Sequence, residues 1–170
     1  MNTHLKNFSD TVNTRQILIG GAGFIVGALV YLVDRPPDLT YFVYRSGIDI
    51  SFYNILPNLF GSIGHSLPTF IHVFSLILIT AGLISCQKRG YLIICISWFV
   101  IDCGFELGQK FKLFSIKMIP DWFAGIPFFE NTNNYFLTGT FDYFDLAAIT
   151  IGAVLAYFTL SHTMQKVKMA

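Results

Sequence analysis

What this chain of 170 residues has least of is charge: Asp, Glu, Lys and Arg make up 12% of it. A soluble domain carries about 25%. So few charges cannot dress a water-exposed globule of 19.2 kDa. Intrinsic disorder is excluded as well, because it needs low hydrophobicity and high charge. An excess of one sign is also missing. The net charge is +1, so no global field draws nucleic acid, and none is expected as a partner. Cysteine is sparse. Cys86, Cys95 and Cys103 are odd in number and lie in or beside apolar runs, so no disulfide framework is implied. What the chain does have is apolar surface: 54% apolar residues and 16% aromatic, with a mean hydropathy of +0.58. This composition points to an all-α integral membrane protein forming a single domain.

Four stretches are long and apolar enough to cross a bilayer, which takes about 20 residues. They cover residues 16–33, 67–85, 91–108 and 141–160. The first has Lys6 and Arg15 before it, as a signal peptide would. No small-residue cleavage site follows it, so it reads as a retained anchor. Orientation follows from the Lys and Arg flanking the spans. With the N-terminus inside, the inner segments hold Lys6, Arg15, Lys88, Arg89, Lys166 and Lys168, against Asp10 alone. Both termini are therefore expected in the cytoplasm. A multi-pass membrane location is expected, with membrane lipids as partners.

The two outer connections, 34–66 and 109–140, are long and aromatic. The first carries Tyr41, Phe42, Tyr44, Phe52, Tyr53 and Phe60. The second carries Phe111, Phe114, Trp122, Phe123, Phe128, Phe129, Tyr135 and Phe136. Aromatic rings favour the bilayer interface, so both loops are expected to lie on or dip into the outer leaflet, or to seal the helix ends. Pro57, Pro120 and Pro127 break any long helix there. Asn131-Thr132-Asn133-Asn134 reads as a turn.

Near the N-terminus, Gly20-Gly21-Ala22-Gly23 imitates a dinucleotide-binding loop. The spacing Gly21-x-Gly23-x3-Gly27 is one residue too long, and no alternation of strand and helix follows. Gly23 and Gly27 instead form a small-residue patch for close helix packing, which also permits self-association into a homo-oligomer.

The acids in the spans carry the functional signal. A charge at the bilayer centre costs about 2.5–3.5 kcal/mol on insertion scales. On the third span, Asp102, Glu106 and Gln109 are spaced i, i+4, i+7. At about 100° per residue they fall within about 60° of one another, as one polar stripe. On the fourth, Asp142 and Asp145 are followed on the same face by Gly152, Ala153 and Ala156. On the second, His72 is the lone ionisable group, and Ser66 and Pro68 fit a cap and first turn. With the N-terminus inside, all six groups lie within roughly 10 Å of the outer interface. The expectation is an outward-facing polar pocket roofed by the aromatic loops.

Four chemistries fit such a pocket. Clustered carboxylates with His72 suit acid–base work. His72, Glu106 and Asp142 are candidate ligands for a divalent cation, the one cofactor the pattern suggests. Carboxylates also accept hydrogen bonds from the hydroxyls or amines of a headgroup. A hydrogen-bonded plug that fixes helix packing is the structural alternative. Transport ranks below these, because no matching acids line the inner half. No Ser or Cys stands beside a convincing base, and Cys95 and Cys103 read as packing residues.

The third and fourth spans resemble the VanZ-like family of small bacterial membrane proteins. The resemblance rests on Phe105-Glu106-Leu107-Gly108-Gln109, then Gly139-Thr140-Phe141-Asp142-Tyr143-Phe144-Asp145 and Gly152, with His72 matching a histidine on an earlier helix. It spans roughly residues 67–160. It implies an envelope protein facing the cell wall that engages a lipid-linked or peptidoglycan-like ligand. The family carries a glycopeptide-resistance label. The competing reading is a membrane enzyme acting on a lipid-linked substrate.

Overall fold

The computed structural model describes residues 12–37, 51–53, 55–57, 59–84, 86, 88–127 and 129–164. Among these residues there is no strand. Four long helices dominate: α1 (Thr14–Asp34), α2 (Leu67–Ile84), α3 (Lys88–Lys110) and, after two short ones, α6 (Tyr143–Thr163). Each is long and apolar enough to cross a membrane. The short helices α4 (Lys112–Met118) and α5 (Thr132–Thr138) lie between α3 and α6, with 3₁₀ turns at Asp121–Gly125 and Phe129–Asn131. A further 3₁₀ turn, Gly61–His65, leads into α2.

Local chemistry sets the helix ends. The Asn13 side chain accepts from Gln16 N at 3.3 Å and caps α1. Pro36 and Pro37 stop it, since proline lacks the N–H a helix needs. Pro68 sits in the first turn of α2, where that N–H is not missed. Asp142 Oδ1 accepts from Phe144 N at 2.9 Å and caps α6. The fourth helix therefore starts at Tyr143, and Asp142 stands outside it as the cap.

The helices run alternately up and down. The start of α1 meets the end of α2, the start of α3 and the end of α6. Asn13 N donates to the Gly82 carbonyl at 2.8 Å, and Asn13 Nδ2 to the Thr163 carbonyl at 3.0 Å. Gln16 Nε2 donates to Tyr91 Oη and to Thr163 Oγ1, both at 3.1 Å. This knot marks the basal end. None of its members is charged, so residue type alone does not single it out.

Helix α2 is the hub and packs on α1, α6 and α3. Its Val73, Ile77, Leu78 and Ala81 meet Ile149, Ala153, Ala156 and Leu160 of α6 in the buried core. Glycine makes two of these contacts close. A Cβ on Gly20 would lie 2.9 Å from the Ser75 carbonyl oxygen, and one on Gly23 would strike Ser75 Oγ. A Cβ on Gly152 would lie 2.9 Å from the Phe70 carbonyl oxygen. The Gly23–Gly27 patch thus packs against α2 of its own chain. On the opposite faces, large apolar side chains such as Leu18, Ile25, Ile93 and Val100 point outward.

The connections are partly helical. Asn131–Asn134, expected as a turn, instead leads into and begins α5. Asn and Thr favour helix N-termini as readily as turns, so the residue types alone do not separate the two. Asp34 anchors the described end of the first connection, accepting from Leu59 N at 3.1 Å and Phe60 N at 2.9 Å. The aromatics Tyr41, Phe42, Tyr44 and Phe128, and the terminal charges Lys6, Asp10, Lys166 and Lys168, lie outside the described residues.

Replacing Gly152 with Val should push α6 off α2 and destabilise the bundle by about 1–3 kcal/mol. Gly21→Ala meets nothing within 4 Å and should be neutral or slightly stabilising. Thermal unfolding of the two variants in detergent checks the contrast.

Candidate functional site: a cleft between α1 and α3

The end opposite the basal knot gathers all six polar residues singled out from the sequence. The up-and-down topology causes this. It brings the N-terminal halves of α2 and α6 level with the C-terminal half of α3. The six do not form one cluster, however. They divide between a cleft and a bracket behind it.

The cleft has a volume of about 1040 Å³. Helix α1 forms one wall with Phe24, Gly27, Ala28 and Tyr31. Helix α3 forms the other with Trp98, Ile101, Asp102, Phe105 and Glu106. The face of α2 that carries Thr69, His72 and Leu76 makes the floor. Phe123, Phe129 and Tyr135 from the connection between α3 and α6 close over one end. Trp122, Phe123 and Phe129 pack on one another there, with Phe123 and Phe129 stacked at 4.8 Å between ring centroids.

His72, Asp102 and Glu106 are the members of the six that line this cleft. His72 Nδ1 stands 3.6 Å from Asp102 Oδ1, with the imidazole 55% exposed and the carboxylate 11%. Asp102 Oδ2 is buried and has no hydrogen-bond partner. The His72 ring also meets Phe24 edge-on at 6.2 Å.

Glu106 is 4% exposed and fully engaged. Its Oε1 accepts from the Asp142 backbone N–H at 2.8 Å, and its Oε2 from Gln109 Nε2 at 3.2 Å. Gln109 Nε2 also donates to Tyr135 Oη at 2.6 Å. The bracket therefore ties α3, α5 and the start of α6 together. A side chain at Gly139 would collide with Gln109 Oε1 at 2.6 Å, which explains the glycine there. Asp142 spends its carboxylate on the α6 cap, and Asp145 Oδ1 is buried without a partner. Phe105 stacks on Phe136 at 5.8 Å and holds α5 against α3.

No family model, curated protein or solved structure matches the chain.

Among the described residues no three His, Cys, Asp or Glu side chains are grouped so as to hold a metal ion. The candidate ligands are drawn apart by other work. His72 faces Asp102, Glu106 bonds Gln109 and the Asp142 backbone, and Asp142 caps α6. Conversely, the cleft recruits residues that their spacing did not reveal. Tyr135, Trp98 and Tyr31 are aromatics in an aromatic-rich chain, and they stand out only once the helices are placed. Trp98 Nε1 donates to Thr80 Oγ1 at 3.0 Å, which fixes the indole against α2.

Burial of its hydroxyl pushes the Tyr135 phenol up to about 12, a rise that the Gln109 bond only partly offsets. Its folded value lies above the free value of 10.0, so the proton binds more tightly in the folded state. The resulting stabilisation is complete below pH 10 and fades as pH rises from 10 to about 12. Tyr135→Phe should remove this dependence. The stability gap between wild type and variant should therefore narrow across that window when melting is followed against pH.

Proposed function

We propose that this protein is a multi-pass membrane protein of the bacterial envelope that binds or shields a lipid-linked or other amphiphilic ligand in the cleft between α1 and α3. The observation that carries the reading is the cleft itself. It is large enough for a lipid chain, apolar and aromatic along its length, and polar at one end through His72, Asp102 and Glu106. Ligand pockets of this volume class are mostly apolar, with a few placed polar groups. Helices α1 and α3 each pack mainly on α2 or α6 rather than on one another. The cleft therefore opens sideways, toward the space lipid tails occupy.

Membrane insertion is supported by the four apolar helices and by their outward Leu18, Ile25, Ile93 and Val100. Those side chains would cost about 25 cal/mol per Å² if left facing water. Counted along the sequence, the short basal segments hold six Lys and Arg (Lys6, Arg15, Lys88, Arg89, Lys166 and Lys168), against five spread over the two long connections together with five acids, and this supports a cytoplasmic basal end. The cleft then lies in the outer leaflet. The resemblance to VanZ-like proteins agrees with an envelope role.

Two measurements test this reading. Reporter fusions after residues 88 and 125 should report inside and outside respectively, and the reverse would place the cleft in the inner leaflet. Ala28 lines the cleft, so Ala28→Trp should fill it. Native mass spectrometry of the detergent-purified protein should show amphiphile retained by wild type and lost, by about tenfold or more, from a variant that stays monodisperse. Equal retention by both would reject the cleft as the site.

A further inference from the structure

The charge on the cleft walls narrows the chemistry of its occupant. This step rests on the cleft being a ligand site. Among the described residues its lining holds two carboxylates, one imidazole and the phenols of Tyr31 and Tyr135, with no Lys or Arg. Glu106 is already hydrogen-bonded through both oxygens. Asp102 is not. Its Oδ2 has no donor, and its Oδ1 has only His72 Nδ1 at 3.6 Å. That separation exceeds hydrogen-bond length. The imidazole is more than half exposed, and exposed side chains change rotamer freely.

Among the described residues a phosphate or carboxylate headgroup would meet two like charges and no basic side chain except His72. An alcohol would offer one donor and no charge. A protonated amine offers three donors and the missing positive charge. The rings of Phe24, Trp98 and Phe105 border the same stretch, and aromatic faces attract ammonium groups. One turn deeper, Leu76 on α2 and Ile149 on α6 give the lining an apolar surface suited to a chain.

We propose that the cleft takes a membrane amphiphile whose headgroup is a protonated amine, with Asp102 as its counter-ion and the acyl or alkyl chain lying past Leu76 and Ile149.

The test titrates the full-length protein, in a non-ionic detergent, with four probes read by native mass spectrometry: tetradecylamine, tetradecanol, tetradecyl phosphate and butylamine. Tetradecylamine should bind about tenfold tighter than the alcohol or the phosphate, and butylamine should bind far more weakly than its long-chain counterpart. Asp102→Asn should abolish the preference for amine over alcohol while keeping binding of the alcohol. Equal or tighter binding of the phosphate overturns the ammonium assignment and leaves the cleft as a lipid site. Butylamine binding as tightly as tetradecylamine overturns the amphiphile. A preference that survives in Asp102→Asn removes Asp102 as counter-ion. If no long-chain probe binds, the cleft reading fails with it. The probe ranking in wild type needs no variant, so a poorly folded Asp102→Asn protein would not shelter the proposal.

Discussion

The close approach of α1 and α6 to opposite sides of α2 is the constraint from which the rest of this architecture follows. Gly20 and Gly23 let the backbone of α1 reach the turn of α2 at Ser75, and Gly152 lets α6 reach the carbonyl of Phe70. Side chains at these positions would hold the helices apart. With α1, α2 and α6 drawn into one slab, α3 packs on α2 and α6 among the long helices and meets α1 through the Gln16–Tyr91 bond at the basal end. Its bulky Trp98 and Phe105 face α1 across a gap rather than through a contact. Tight packing on the glycine side thus creates the open space on the aromatic side.

The two ends of the bundle use polar groups differently. At the basal end, Asn13, Gln16, Tyr91 and Thr163 join all four long helices through short bonds among uncharged groups, with one Gln16 oxygen left over. Uncharged partners are the inexpensive way to tie helices in an apolar medium. At the other end the groups are acids, and only some are satisfied. Glu106 and Gln109 form a closed bracket that a structural role explains. Asp102 and His72 stand outside it, loosely paired, with the imidazole exposed to the cleft and the carboxylate mostly buried in its wall. The structural reading of the polar stripe thus fits the turn of α3 at Glu106 and Gln109, and the proposed binding site rests on the turn at Asp102.

How much of this was legible in the sequence depended on the range of the interaction. The four long helices were readable because hydropathy is a local property, and their ends fell within a few residues of those expected. The common depth of the six polar residues was readable too, since it needs only helix direction and a rise of about 1.5 Å per residue. Which of them share a surface was not. Glu106 turns toward Asp142 because the chain returns at that point, and Asp142 serves as a cap because α6 begins two residues later than the hydropathy suggested. Gln16 illustrates the same limit. It opens an apolar run and reads as its polar edge, yet it is fully buried and bonds partners 75 and 147 residues away. Tyr135 was visible only as one aromatic among many.

The scarcity of charge gives the His72–Asp102 pair its meaning. Asp102 lies two turns inside the end of α3, where water is thin and an ionised carboxylate needs a counter-charge. Glu106 meets that need with two fixed donors, one of them at the start of α6, where the helix dipole favours a negative group. Asp102 has no such donor. Among the described residues His72 is the one basic group on the cleft wall, and it faces the carboxylate from an exposed position at more than bonding distance. A cation bound as proposed would compete with the imidazole for the same carboxylate. On that proposal the binding of a positive headgroup and the release of the imidazole would be one event, coupled through a single aspartate.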